Sequence, residues 1–180
     1  MSSLCSRALT PLCCILLFTI AAGCGCKGEM RHFDDITVSL APTLKTNDVY
    51  PSVEVDVIAV PDNDTRDWTK ESVDNFFAPG FDRRVDPTLL RTLLLGQEQT
   101  SQTLEYKKME ALWDKWKERK VMKLIFVSNY PRLAANKSGN DERILEVPLS
   151  CERWEETKKL SISVIPAGLD LETKPLREQK

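Results

Sequence analysis

An alternation of apolar and polar residues in the first third of the chain places the tightest constraint on its fold. From Val53 to Val57, valines alternate with acidic residues, and the pattern follows Pro51 and stops at Pro61. A period of two puts every second side chain on the same face of a strand, so one face here is expected to be buried and the other to meet solvent. The segment Ile36–Leu40 repeats the alternation, which predicts a second half-buried strand.

Four more segments are typical of strands, and two are typical of helices. Apolar runs predict strands at 89–95, 121–130, 143–150 and 160–169. A short helix is expected between an N-cap at Thr69 and the helix-ending Pro79. A longer helix is expected at Tyr106–Lys120, where Trp113 and Trp116 lie on the apolar stripe and should pack in the core.

Strands therefore outnumber helices, and the connections in the C-terminal half are too short for β-α-β crossovers. The sequence predicts a mainly β fold, a small antiparallel β-sandwich of about six or seven strands with two short helical insertions. The chain has 180 residues, of which 42% are hydrophobic and 29% charged, as in one globular domain. Its net charge of -2, with basic residues interspersed among acids, argues against a nucleic-acid partner.

The N-terminus has the composition of a targeting segment. A nearly uninterrupted apolar run extends from Ala8 to Ala22, whereas a membrane span needs about 20 apolar residues. The run is typical of a signal peptide that is cleaved after small residues. Three interpretations follow: a lipoprotein signal, an ordinary signal that yields a secreted protein without a lipid anchor, or a short uncleaved anchor or metal site at Cys24 and Cys26. A metal site would want four ligands, and only Cys151 and His32 remain to complete it, so we expect none.

The stretch from Ala21 to Cys24 resembles a bacterial lipobox, in which small residues precede a cysteine that is acylated and becomes the new N-terminus. The resemblance implies that an acylated Cys24 attaches the chain to a lipid membrane, where each buried CH₂ contributes about 0.8 kcal/mol. Gly25 stands where an aspartate would retain a lipoprotein at the inner membrane, which implies the outer membrane, facing the periplasm. Whether Cys26 and Cys151 then form a disulfide stays open. The predicted organisation is a signal peptide at 1–23, a lipidated N-terminus and tether at 24–35, the β-sandwich at 36–171 and a charged flexible tail at 172–180.

The sequence carries few groups suited to catalysis. The single histidine, His32, lies in the predicted tether, so a Ser-His-Asp or Cys-His arrangement has no base inside the fold. Phosphate-binding, dinucleotide-binding and zinc-hydrolase motifs do not occur. Asp62, Asp64 and Asp67 lack the glycine and the distant glutamate of a calcium loop, so a solvated turn is expected there. We therefore predict a protein that is not an enzyme and uses no cofactor and no metal.

Binding is expected on loops, because loops on a rigid sandwich are where recognition usually resides. Trp68 and Trp154 lie in loop-like contexts and are predicted to be exposed, unlike the tryptophans of the longer helix. The polar loop 129–143 and the segment 76–84 are the other candidates. The predicted partner- or ligand-binding residues are Trp68, Phe81, Arg83, Arg84, Tyr130, Arg132 and Trp154.

A lipobox followed by a tether and a small β-sandwich with helical insertions resembles the outer-membrane lipoprotein family of type VI secretion systems. The residues that carry this resemblance are PSVEV at 51–55, WTKESVDNFFAPG at 68–80, KLIFVSNYP at 123–131 and RILEVPL at 143–149. The resemblance implies a lipid-anchored periplasmic protein that binds a protein partner in a cell-envelope assembly. The helix from Tyr106 to Lys120 is longer than in that layout. The alternatives are a glycan- or ligand-binding lipoprotein that uses exposed Trp68 and Trp154, and a secreted protein of unknown role without an anchor.

Overall fold

The computed structural model describes residues 30–70, 72–80, 86–131, 141–154 and 157–176. Strands dominate these residues, and they are β1 (Asp35–Leu40), β2 (Val53–Pro61), β3 (Leu90–Leu95), β4 (Ser101–Glu105), β5 (Val121–Ser128), β6 (Ile144–Pro148), β7 (Lys159–Ile165) and β8 (Gly168–Leu171). The helices in the same residues are short, and they are α1 (Val73–Phe76), α2 (Glu110–Glu118) and α3 (Cys151–Trp154). Single 3₁₀ turns lie at Pro42–Leu44, Trp68–Lys70, Pro87–Leu89 and Tyr106–Lys108.

The strands form two four-stranded sheets, with the orders β4-β1-β7-β8 and β3-β2-β5-β6. All neighbouring strands within them are antiparallel except β1 and β7, which run parallel. The mainly β sandwich predicted from the sequence is confirmed. The parallel pair was not predicted, because it joins strands that lie far apart in the chain and leaves no local sequence signal.

The main core lies between the two sheets. Apolar side chains from β1, β2, β5 and β7 fill it, and Trp116 and Trp113 of α2 close one end. The Trp116 indole donates to the Thr88 carbonyl at 3.1 Å, so this buried ring is both packed and hydrogen-bonded. The prediction that both helix tryptophans pack in the core is confirmed.

A second apolar cluster covers the outer face of the β3-β2-β5-β6 sheet. The segment that follows β2 folds back over the strand and buries Ile58 and Val60 beneath Val73 and Phe76. On the same strand, Asp56 does not meet solvent as the alternation predicted. It is fully buried and accepts a hydrogen bond from the Thr92 hydroxyl at 2.5 Å.

The N-terminus of α1 differs from the prediction. The N-cap of α1 is Ser72, whose hydroxyl accepts from the Asn75 N–H at 3.4 Å. Thr69 instead donates its hydroxyl to Asp67 at 2.7 Å within the preceding 3₁₀ turn. A serine or threonine hydroxyl can bond either to a nearby carboxylate or to a helix N-terminus, so the sequence did not decide which of the two residues is the N-cap.

Two strands were missed. The segment 160–169 was predicted as one strand, but Pro166 and Ala167 turn the chain, which then returns as β8. The other missed strand, β4, lies at a sheet edge and buries only Leu104, so it has no apolar stripe to read. Both missed strands lie at sheet edges, where backbone pairing with one neighbour, rather than a buried apolar face, defines the strand.

The folded part begins earlier than the predicted boundary at residue 36. Phe33 is fully buried and meets Trp154 edge to face with ring centroids 5.4 Å apart, and the Arg31 guanidinium donates to the Thr157 carbonyl. The last residues of the predicted tether are thus part of the sandwich. At the other end, the Leu176 N–H donates to the Arg153 carbonyl at 2.9 Å, so the predicted tail is held by backbone contacts as far as this residue.

Arg143 connects α1 to the sandwich through ion pairs. Its guanidinium is almost fully buried and pairs with Asp141 and Asp74, each at 2.7 Å. Hydrogen bonding to Asp141, and then to Asp74, raises the pKa of Arg143 above its ordinary value. The arginine therefore keeps its charge over the whole accessible pH range.

Arg143→Met is expected to lower the free energy of unfolding by about 3 kcal/mol, because it removes the cation that pairs at 2.7 Å with the mostly buried Asp141 carboxylate. Asp74→Ala is the matched control, because it removes the other carboxylate that pairs with Arg143. Asp74 is mostly exposed, so this ion pair should contribute less than about 1 kcal/mol to the free energy of unfolding. Urea unfolding of the two variants measures the difference. Equal losses would show that Arg143 acts through the exposed partner instead.

Candidate functional site

The strand directions give the sandwich two different ends. The helical end carries the first described residues, Met30–Asp34, together with α2, α3 and the start of β5. The loop end carries the connections 41–52, 96–100 and 166–167, and also the two sides of the β5–β6 connection. The 9 residues of β2 separate the two ends by about 30 Å.

The connection 41–52 at the loop end is fixed by its own hydrogen bonds. Thr46 and Val49 exchange two backbone hydrogen bonds, of 3.0 and 3.1 Å. Between them, Asn47 and Asp48 adopt left-handed backbone angles, with φ of 51° and 62°, which asparagine and aspartate accept more readily than most residues. The result is a tight two-residue turn that projects Val49.

Contacts to a neighbouring turn hold this loop in place. The Tyr50 N–H donates to the Gln97 side-chain carbonyl at 2.8 Å, and the Lys45 ammonium lies 5.0 Å from the centre of the Tyr50 ring. Gln97 belongs to the turn between β3 and β4, which is closed by hydrogen bonds between Gly96 and Gln99. The two connections therefore form one surface.

Large apolar side chains are exposed at this end of the sandwich. Val49 is 55% exposed, and Leu94, on the edge strand β3 just before the turn, is 63% exposed. Among the described residues the remaining exposed large apolar side chain is Leu176, which lies at the helical end. Exposed apolar side chains on a preformed scaffold are suited to protein contacts, because little conformational entropy is lost on binding.

Tyr130 lies at the same end but contributes little free surface. It is half-buried against the main core, and its neighbour Asn129 accepts a hydrogen bond from the Glu54 N–H at 2.7 Å. The other predicted loop residues, Phe81, Arg83, Arg84 and Arg132, lie outside the described residues, as do Cys24 and Cys26. Cys151 is present as a free thiol. Sequence reasoning missed Val49 and Leu94, and the only signal was the polar stretch that precedes Pro51.

The expectation that Trp68 and Trp154 are exposed is wrong. Trp68 is 3% exposed, since it packs in the outer cluster with the Arg66 guanidinium 4.5 Å from its ring centre. Trp154 is fully buried in the main core, and its indole donates to the Pro148 carbonyl at 2.5 Å. Short polar segments surround both rings in the sequence, but each ring is the apolar residue that anchors its segment to the sandwich. The glycan-binding alternative loses the surface on which it depended.

A groove of about 750 Å³ opens at the helical end, beside the point where the chain enters the fold. Its aromatic wall is formed by His32, which stacks on Tyr106 at 4.6 Å, and by Trp113. The remaining lining residues are Met30, Asp62, Asp114, Lys117, Lys120, Val121 and Met122. The single histidine of the chain is therefore part of an aromatic stack and not of the tether alone.

The acidic turn after β2 is occupied by local contacts. The Asp64 carboxylate accepts from the Arg66 N–H at 2.9 Å, and Asp67 pairs with Lys70 at 2.6 Å. Hydrogen bonds from Lys70 and then Thr69 lower the pKa of Asp67 below its ordinary value. Within the described part of the chain, no group of three or more histidine, cysteine or acidic side chains is arranged to hold a metal ion.

No helix of the described residues is long and apolar enough to cross a membrane.

The solved structures similar to this chain include two proteins of type VI secretion systems. One is Lip from Serratia marcescens, a membrane-bound component of the type VI secretion system, with 11% identity, a TM-score of 0.49 and coverage of 81% of this chain and 99% of that one. The other is the type VI secretion lipoprotein TssJ1 from Pseudomonas aeruginosa, with 12% identity, a TM-score of 0.48 and coverage of 82% and 98%. Both proteins come from type VI secretion systems, the systems whose lipoprotein family the order of the elements resembles. No protein-family model and no curated protein matches the sequence.

Proposed function

We propose that this chain is a non-enzymatic, lipid-anchored envelope protein that holds a protein partner at its loop end. The anchor is an acylated Cys24 in the outer membrane, and the domain faces the periplasm. The observation that carries the proposal is the difference between the two ends of the sandwich. The N-terminal chain enters at one end, and the preformed apolar surface lies at the other.

The length of the N-terminal connection supports this orientation. The six residues from Cys24 to Met30 span at most about 20 Å when fully extended. A lipid on Cys24 would therefore keep the helical end near the bilayer, and the loop end would extend a further 30 Å or so into the periplasm. Val49 and Leu94 would then meet a partner that approaches from the periplasmic side.

The type of assembly follows from the resemblance in layout, which implies a secretion-type complex of the cell envelope. A binding role also suits the chemistry of the described residues. The His32 ring stacks on Tyr106 and meets Trp113 edge to face, so it is engaged in aromatic packing. A surface that presents apolar side chains from hydrogen-bonded turns is built to bind and not to transform a ligand.

Metabolic labelling with a fatty acid tests the anchor. The wild-type protein should carry the label and float with membranes, whereas Cys24→Ser should lose both, because acylation requires the thiol of the cysteine that follows the cleavage site. Cys26→Ser is the matched control, since it removes the neighbouring thiol and should leave the label unchanged.

An unlabelled wild-type protein in the medium would favour the secreted alternative without an anchor. If Cys26→Ser lost the label and Cys24→Ser kept it, the acyl group would be on Cys26, which would contradict the proposed site.

A further inference from the structure

The groove at the helical end presents two cations and two anions that are not paired with one another. Lys117 and Lys120 line it together with Asp62 and Asp114, and all four side chains are exposed. Among the described residues none of the four takes part in an ion pair, whereas the neighbouring Arg119 is paired with Asp86 at 3.3 Å. Three N–H donors on each ammonium and the oxygens of each carboxylate are thus free for a ligand.

This balance of charge indicates the chemistry of the ligand. A purely anionic group would be attracted by the lysines and repelled by Asp62 and Asp114, and a purely cationic group would meet the reverse. A zwitterion that carries a phosphate and a primary ammonium satisfies both pairs. Among the apolar lining residues, Val121 and Trp113 are almost fully buried, so the half-buried Met30 and Met122 present the apolar surface, which suits a ligand whose other half is hydrocarbon.

The position of the groove indicates the source of such a ligand. Met30, the first described residue, forms part of the lining, and Cys24 precedes it by at most about 20 Å of extended chain. If Cys24 is acylated, the groove lies within reach of the headgroups of the membrane that holds the anchor. This step rests on the proposed function.

We propose that the groove binds the headgroup of phosphatidylethanolamine from that membrane. Lys117 and Lys120 bind the phosphate, Asp62 and Asp114 bind the ammonium, and the Met122 side of the groove faces the acyl chains. The bound headgroup fixes the tilt of the sandwich, so that the loop end points away from the bilayer.

A structural role for the lysines is the competing explanation. Lys117 and Lys120 lie at the C-terminus of α2, where cations stabilise the helix dipole by about 0.3–1 kcal/mol. Thermal unfolding of each variant below therefore accompanies every binding measurement, and a purely structural role would change the melting temperature without changing the lipid preference.

The first test uses the chain from residue 24 onward with Cys24→Ser, so that no acyl chain contributes. Cosedimentation should show stronger binding to vesicles that contain phosphatidylethanolamine than to vesicles of phosphatidylcholine alone, whose quaternary ammonium donates no hydrogen bonds. The double variant Lys117→Gln, Lys120→Gln should weaken this binding by about ten-fold. Lys45→Gln at the loop end removes one positive charge outside the groove and should leave the binding unchanged.

The acidic pair gives an independent readout. Asp62→Asn with Asp114→Asn should abolish the preference for phosphatidylethanolamine over phosphatidylcholine and leave the weaker phosphatidylcholine binding in place. Equal binding of wild type to both lipids, or equal losses in the lysine variant and in Lys45→Gln, would overturn the proposal.

Methionine methyl resonances locate the ligand. The chain from residue 24 contains Met30, Met109 and Met122, of which the first and last line the groove and Met109 packs against the main core. Titration with dihexanoyl phosphatidylethanolamine should shift the Met30 and Met122 methyl signals and leave Met109 in place. Unmoved signals would refute the groove as a lipid site and leave the anchor standing, whereas absence of fatty-acid label on Cys24 would refute the anchor without bearing on these shifts.

Discussion

Gly168→Ala is expected to lower the free energy of unfolding by at least about 3 kcal/mol, the largest single-site effect we predict for this chain. Gly168 has a φ of 151°, and a Cβ atom there would lie 2.2 Å from the Glu142 carbonyl oxygen and 2.4 Å from its carbon. The obstacle is backbone and cannot rotate away as a flexible side chain would. The Leu169 N–H donates to the same Glu142 carbonyl at 2.8 Å, so relief of the clash breaks the contact between β8 and β6.

Two other glycines separate the causes of this loss. Gly80→Ala also adds a methyl at positive φ, 77°, but nothing lies within 4 Å of it, so the variant should lose only the conformational term of about 1 kcal/mol. Gly96→Ala meets its nearest atoms at an ordinary 3.9 Å and should be close to neutral. Thermal unfolding of the three variants should show a drop of about 6–12 °C for Gly168→Ala. A loss no greater than that of Gly80→Ala would mean that the two edge strands separate easily.

Val49→Glu is expected to weaken capture of the envelope partner by at least ten-fold, roughly 1.4 kcal/mol, while the fold stays intact. The side chain is exposed in the free protein, so the substitution costs little there. In a complex it would replace an apolar contact with a charge that must be desolvated without a designed counter-ion. The turn keeps its shape, because its hydrogen bonds between Thr46 and residue 49 run through the backbone.

A photoreactive residue at the exposed position 98, on the neighbouring turn, would trap the partner in cells. The cross-linked species should fall in Val49→Glu and persist in Leu176→Glu, a matched change at the opposite end of the sandwich. Equal cross-linking in both variants would remove the loop end as the docking surface. A selective loss in Leu176→Glu would move that surface to the helical end.

The sequence alone determined the elements whose burial follows from a local period. The alternation at Val53–Val57 and the stripe that carries Trp113 and Trp116 each define an apolar face within one segment, so the strand β2, the helix α2 and the mainly β class could be read directly. The predicted N-terminal signal is likewise a local pattern, because processing enzymes read such a signal as a linear stretch, and it supplied the expected compartment.

Only the tertiary structure decided what depends on contacts between distant residues. The parallel pairing of β1 with β7, the burial of Trp68 and Trp154 and the cover over Asp56 all arise from segments that meet only after folding. The same holds for both candidate surfaces. Val49 is held at the loop end because its neighbour Tyr50 donates to Gln97 of another connection. Met30 and Lys117 line the same groove because β1 starts at the end of the sandwich where α2 packs. A short polar segment has no period of its own, so its environment is set by whichever strands lie beside it.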